Sequence, residues 1–336
     1  MPPTDNKKWT ILDKVFAHFE MWRLYTVIWV GLVGVIGAVL ANDGLPSLDV
    51  WLVVFGVTIM GWIGGLYLSD ILDRNLDRIQ KPHRPIPSGR VSVLEAFVVG
   101  LVFALTGIIL IVWKLTLHNL FVAVVVALLV FVHAYVTKSR GLMGHMNRGL
   151  MTVTAFVFGV VCIDQSLMVI PWMVWMFSVV FFLHDMNSNI VGAVRDMQGD
   201  RLGGYYTIPV RYGLQKTWLI SLALTSLWWC IAVGWMLWMQ KVNTPFLFMI
   251  FIDLIVLCAM YLYYYNSMQS YTREKGLRFH EFFVIERIVF ASAILFGLIE
   301  FNIALLIAVG SLVVTALAQK GLRKRYEFEE IGEWVD

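Results

Sequence analysis

A bundle of nine or ten membrane-spanning α-helices is the fold this sequence predicts, and three observations predict it. Hydrophobic residues make up 59% of the 336 and charged ones only 15%, where a soluble chain carries roughly a quarter. The mean hydropathy is +0.75. Apolar runs of membrane length recur along the whole chain, and the charges gather between alternate runs.

A helix needs roughly 20 mostly apolar residues to cross the hydrocarbon core. The first run, 25–43, is separated from the second, 49–68, by the turn-like NDGLPSLD. A long charged segment precedes the third run, 94–113, and KLTLH leads into the fourth, 119–136. The fifth, 149–165, meets the sixth, 168–190, at DQS. After a second long charged segment come runs at 217–239 and 246–265. The last tract, 284–299 and 302–318, is broken only by Glu300 and Asn302, which leaves the count at nine or ten.

Charge placement favours ten. With both termini and the even-numbered loops on one side, only Lys114 and Lys241 of the 26 lysines and arginines fall on the other. Arg148 and Arg287 count here as loop charges. The positive-inside rule makes the charged side cytoplasmic, and nine spans would export KGLRKR at 320–325. The opening MPPTDNKKWTILDK lacks the apolar core and cleavage site of a secretory leader. Cys162, Cys230 and Cys258 fall in runs at unrelated spacings and read as buried, inert thiols. The net charge of +3 follows from the loop bias and gives no sign of nucleic-acid binding. Nothing in the sequence points to a protein partner. No linker or compositional break divides the chain, so 1–336 reads as one domain with charged loops at about 69–93 and 191–216.

Those two loops echo each other. Asp73 and Asp77 precede Ile86-Pro87, and Asp196 and Asp200 precede Ile208-Pro209. If the second run stays helical through residue 77, Asp70, Asp73 and Asp77 share an arc of about 60°. Asp196 and Asp200, at i and i+4, also share a face. Like charges on one face cost free energy unless a cation compensates. Five carboxylates converging from two helices would make a hard-oxygen site of the kind Mg²⁺ prefers, completed by water and phosphate oxygens. Charged helix ends are often merely solvated, and Arg74, Arg78, Arg195 and Arg201 can neutralise acids locally. Two such clusters, each followed by basic residues and an Ile-Pro step, favour a shared site over that reading. Arg74, Lys138 and Arg201 are candidate cations for the phosphate charge. A prenyl diphosphate suits both halves of such a molecule, its head at the charged mouth and its tail among apolar helices.

SDILDRNLD at 69–77 resembles the NDxxDxxxD motif of the UbiA superfamily of intramembrane prenyltransferases. DRIQKPHRPIPSGRVS at 77–92 resembles that family's continuation. DMQGDRLGGYYTIPVRYG at 196–213 is similar to its second motif. The resemblance implies a helical bundle around a central cavity, with cytoplasmic cap loops and two Mg²⁺ ions bridging a prenyl diphosphate. It implies that Asp73 and Asp77 hold one ion and Asp196 and Asp200 the other. Asp70 stands ready to assist, because Ser69 replaces the family's leading Asn. The same resemblance assigns Arg74, Tyr135 and Lys138 to the diphosphate and Arg23 to the acceptor pocket.

The expected reaction is prenyl transfer to a small acceptor that is aromatic, a quinone precursor or lipid-like. A terpene cyclase, in which the substrate's own double bonds capture the cation, is the second enzymatic reading, and Ser69 keeps it open. Intramembrane carboxylates also mark transporters, but these acids sit at span ends. Trp62, Tyr67, Phe131 and Phe182 are candidate cavity aromatics, although ordinary packing explains such residues equally well. His133, His184 and Asp185 lie where an acceptor could touch them.

Overall fold

The computed structural model describes residues 9–114, 117–163 and 171–327, and every regular element among them is helical. The loop DQS at 164–166, residues 115 and 116 of KLTLH and the first eight residues lie outside the described ones. An amphipathic helix, α1 (Ile11–Trp22), opens on a capping box between Thr10 and Asp13. It is followed by α2 (Leu24–Ala41), α3 (Leu48–Gln80), α4 (Val93–Lys114), α5 (Leu117–Val132) and α6 (Leu142–Ile163). The second half holds α7 (Trp172–Leu202), α8 (Ile208–Trp238), α9 (Thr244–Ser267), α10 (Arg273–Leu298), α11 (Phe301–Ala318) and a single turn, α12 (Lys324–Glu327).

Eight helices among the described residues are long and apolar enough to cross a bilayer, against the nine or ten expected. The expected runs 168–190 and 284–299 correspond to α7 and α10, which fall short because of polar groups held inside the bundle. On α7 these include His184, Asp185, Asn187 and Ser188, and on α10 Glu286 and Arg287. A helix shielded by its neighbours need not be greasy, since lipid never meets its polar face. Arg287, counted above with the loops, therefore lies buried within α10.

The centre of the molecule is α2, packed on α3, α6, α10 and α11. It meets α6 backbone to backbone: a Cβ at Gly159 would lie 1.9 Å from the Gly34 carbonyl oxygen. Only hydrogen fits there, as in close helix pairs of membrane proteins. At one end of the bundle Lys241 pairs with Asp43 at 2.7 Å. Most other charges collect at the opposite end. None of the three cysteines is bridged, and Cys230 and Cys258 are exposed rather than buried, on a surface that is largely apolar.

The segments at 69–93 and 191–216 are mostly helix rather than loop. Helix α3 continues to Gln80 and α7 to Leu202, so both acidic pairs stand on helical tips. Irregular chain is limited to a turn-rich stretch from Lys81 to Ser92, a short one from Gly203 to Thr207 and a kink in α8 at Gly213, whose φ is 75°.

Candidate active site

The tips of α3 and α7 face one cavity of about 630 Å³, and Asp73, Asp77, Asp196 and Asp200 all line it. Helical spacing does this work: the acids of each pair are four residues apart and so share a face. One wall of the cavity, on α3, α4 and α5, is apolar and built from small residues, among them Gly61, Gly64, Ala104, Gly107 and Ala127. Another, on α6, α7 and α10, carries Arg148, Asp185, Ser188, Asn189 and Arg287.

The acids differ in their partners. Asp73 pairs with Lys138 and accepts from Ser69 Oγ at 3.3 Å. Arg84 Nη1 donates to both oxygens of Asp77, at 3.1 and 3.0 Å. Asp196 is held by Lys81 at 3.0 Å and by the Arg195 guanidinium. Burial alone would raise its carboxyl, but Arg195 and Lys81 outweigh burial and keep it well below the usual carboxylate range. Asp200 accepts from Thr207 Oγ1 at 3.1 Å. Burial, reinforced by the negative charge of Asp196, pushes its carboxyl up to about 7.

Four carboxylates around one space supply the hard oxygen donors that suit Mg²⁺. In the present arrangement three of them spend that capacity on ammonium and guanidinium groups, and no group of three metal-binding side chains is preassembled among the described residues. A metal would displace cationic partners to bind.

Other residues singled out by the sequence fall in two classes. Lys138 lines the cavity beside Asp73, with its ammonium 5.9 Å from the Tyr205 ring. Arg23 also lines it, but its guanidinium is committed to Asp70 and to the Tyr326 hydroxyl. Asp70 is buried in that same knot, accepting from Tyr326 at 3.0 Å, and is not part of the cavity wall. Arg74 turns back to the Ile71 carbonyl at 2.8 Å, and Arg201 is exposed; neither reaches the cavity. Tyr135 is 62% exposed and packs on Phe131 outside it. Trp62 and His133 are lining residues, whereas Tyr67, Phe131, Phe182 and His184 are not. His184 instead bonds Glu286 at 3.1 Å in the core.

Sequence reading missed the cations Lys81 and Arg84, although both sit inside the quoted DRIQKPHRPIPSGR. It also missed Tyr326 and Glu327. Glu327, 2% exposed at the side chain, lies within 4 Å of four cations: Arg84 and Arg273 at 3.2 Å, Arg195 at 3.3 Å and Lys81 at 3.9 Å. Burial would raise its carboxyl, but Arg195, Lys81 and Arg84 hold it well below the ordinary range. No periodic signal marks this residue, because tertiary contact alone brings the turn at Lys324–Glu327 to the cavity.

Comparison with known proteins gives a consistent picture. The family model described as "UbiA prenyltransferase family" matches residues 27–286. The digeranylgeranylglyceryl phosphate synthase of Sulfurisphaera tokodaii is 29% identical over 208 residues, covering 62% of this chain and 73% of that protein. The enzyme of the same name from Thermococcus kodakarensis is 24% identical, covering 78% and 90%. Among solved structures, the apo form of a UbiA homologue from Aeropyrum pernix K1 superimposes with a TM-score of 0.66 at 15% identity, covering 80% of this chain and 96% of that one. A UbiA homologue from Archaeoglobus fulgidus bound to DMAPP and Mg²⁺ gives 0.55 at 16% identity, covering 81% and 98%. At such identities these structures speak for the fold.

Proposed function

The chain belongs to the UbiA prenyltransferase family, and from that premise we propose that it transfers a prenyl group from an allylic diphosphate to a small acceptor inside the membrane. One observation carries the reading: four carboxylates from two helix tips line the mouth of a cavity whose other lining is largely apolar. Diphosphate chemistry needs the first feature and an isoprenoid tail needs the second. The charged end of the bundle is the cytoplasmic face in this reading, with α7 and α10 completing ten spans.

Asp73 and Asp77 would hold one Mg²⁺ and Asp196 and Asp200 a second. Bound there, the ions would act as Lewis acids that stabilise the departing diphosphate. Lys138, Lys81, Arg84 and Arg195 line the same cavity, and once released from the acids they are free to neutralise phosphate oxygens. Ionisation of the allylic C–O bond leaves a carbocation that water would quench. The apolar wall of α3, α4 and α5 would offer water no hydrogen bonds there, while Gly61, Gly64 and Gly107 leave room for the tail. The acceptor's nucleophilic atom then captures the cation and gives up its proton.

The named relatives make a glyceryl phosphate lipid, which puts a prenylated glyceryl phosphate first among acceptors to try. The test is mass spectrometry of products from protein in lipid nanodiscs, supplied with prenyl diphosphates of increasing length, with and without acceptors. A coupled product that appears with Mg²⁺ and vanishes with chelator is the expected result. A cyclic hydrocarbon or alcohol formed without acceptor would replace transfer with cyclisation. An intact prenyl diphosphate under every condition would overturn both.

A further inference from the structure

The polar wall of the cavity poses a separate question. Arg148 on α6 and Arg287 on α10 both line the cavity, the first half-buried and the second buried. Neither has a carboxylate within ion-pair distance among the described residues, and the Nε of each lacks a hydrogen-bond partner. Arg148 lies over the Trp62 ring at 4.5 Å, and Arg287 donates to Ser188 Oγ at 2.6 Å. Asp185 lines the same wall, and its Oδ2 is itself unpartnered. Glu286, the other nearby acid, is engaged by His184. One buried cation, Arg287, and one half-buried cation, Arg148, therefore face one free carboxylate in a region where an uncompensated charge is expensive.

We propose that Arg148 and Arg287 form the seat for an oxyanion carried by the acceptor, with Asp185 and Asn189 receiving and donating hydrogen bonds to its polar body. This deepens the prenyl-transfer reading and rests on it. Asp185 and Asp196 share a face of α7, eleven residues apart, which is roughly 16 Å along the axis. That span holds a metal-bound diphosphate, the reacting carbon, a gap of about 3 Å to the nucleophile and a small acceptor whose anionic group lies beyond its nucleophile. A hydrocarbon tail has no use for this wall and follows the apolar one. Arg23, expected to serve the acceptor, is occupied by Asp70 and Tyr326.

The oxyanion can be a phosphate or a carboxylate, and the experiment separates them. Binding of geranylgeranylglyceryl phosphate and of 4-hydroxybenzoate, each beside its uncharged counterpart (the dephosphorylated glycerol ether and the methyl ester), is measured calorimetrically on nanodisc protein. Wild type should bind one charged acceptor at least tenfold more tightly than its neutral partner. Arg148→Gln and Arg287→Gln should each erase that preference while prenyl diphosphate KM stays within twofold. Both variants should melt no lower than wild type, because each removes a charge that has no carboxylate partner; Arg148→Gln, at the half-buried position, guards against misfolding of the other. Equal loss of charged and neutral ligands, or no preference in wild type for either pair, overturns the anion seat. Charge-selective binding without turnover would keep the seat and overturn prenyl transfer.

A different observation supports a second inference. The Glu327 carboxylate occupies the meeting point of Lys81, Arg84, Arg195 and Arg273, the densest gathering of cations beside the metal-site acids. Tyr326 locks the turn by bonding Asp70 and lying under the Arg23 and Arg84 guanidiniums, at 4.7 and 4.2 Å from its ring centre. We infer that Tyr326 and Glu327 are a latch that competes with the substrate's diphosphate for these cations. Binding of inorganic pyrophosphate with Mg²⁺, which requires no acceptor, tests this apart from the transfer reaction. Glu327→Gln should tighten pyrophosphate at least threefold, and Tyr326→Phe should do so less. Unchanged or weaker binding in a folded Glu327→Gln protein would show that Glu327 merely positions the cations, and would end the latch.

Discussion

The tips of α3 and α7 look alike in sequence, two aspartates four apart before an Ile-Pro step, yet they are electrostatically unlike. At the α3 tip each acid owns a cation, Lys138 for Asp73 and Arg84 for Asp77. At the α7 tip Asp196 takes both Lys81 and Arg195, while Asp200 is left with a hydroxyl and a carboxyl raised to about 7. A repeated motif therefore does not make two electrostatically equal sites. The cations come from neighbouring segments that the repeat does not include, and these segments decide which acid is left without a cationic partner.

The largest expected effect tests what the tips share. Asp73→Asn and Asp196→Asn should each lower diphosphate release by about a thousandfold, the scale of losing a central electrostatic stabiliser. Phosphate-coupled assay of the purified proteins reads this directly. A large loss at one tip with full activity at the other would mean that a single metal site serves the reaction.

Acidity separates the tips next. A metal ligand must be deprotonated, and Asp200 is mostly protonated below about pH 7 and ionised above it. Mg²⁺ affinity at the α7 tip should therefore be roughly tenfold weaker at pH 6 than at pH 8. In Asp200→Asn that pH dependence should vanish, as measured by metal titration of prenyl diphosphate binding.

Much of this was legible in the sequence. The apolar runs mark most helices because lipid-facing surface must be greasy, and Asp73, Asp77, Asp196 and Asp200 show themselves by helical spacing next to such runs. Arg148 and Arg287 were visible but read as loop charges, since positive-inside counting cannot tell a loop residue from one turned into a cavity. Asp70 was assigned by helical spacing, Arg201 by its charge beside the acids, and Arg74 and Tyr135 by motif resemblance; each fixes position along the chain but not the direction of a side chain. Tyr326 and Glu327 carried no signal. Their role depends on contacts across more than 240 residues.

Stability gives a third contrast. Asp77 and Arg84 are both buried, so Asp77→Asn should cost about 1–3 kcal/mol; the loss stays below that of a fully orphaned charge because Glu327 still holds Arg84. Asp200→Asn should behave oppositely. A carboxyl moved from 3.8 to about 7 on folding makes wild type lose stability as pH rises between those values. The amide variant escapes this loss, so it should melt above wild type at pH 8 and level with it at pH 4. Thermal melts of detergent-solubilised protein at the two values decide the point, and a lower melting temperature for Asp200→Asn at pH 8 would contradict the assigned environment.

The smallest effect lies where the tips are alike again. Each carries an arginine directly after an acid, Arg74 after Asp73 and Arg201 after Asp200. By motif position both ought to meet phosphate, but one returns to its own helix and the other is exposed. Neither side chain lines the cavity, so Arg74→Gln and Arg201→Gln should each change kcat/KM for the prenyl diphosphate by no more than about twofold. A loss of fiftyfold or more at either position would mean that its tip rotates on substrate binding to bring the guanidinium inward. If only one of the two showed it, that would identify which tip moves.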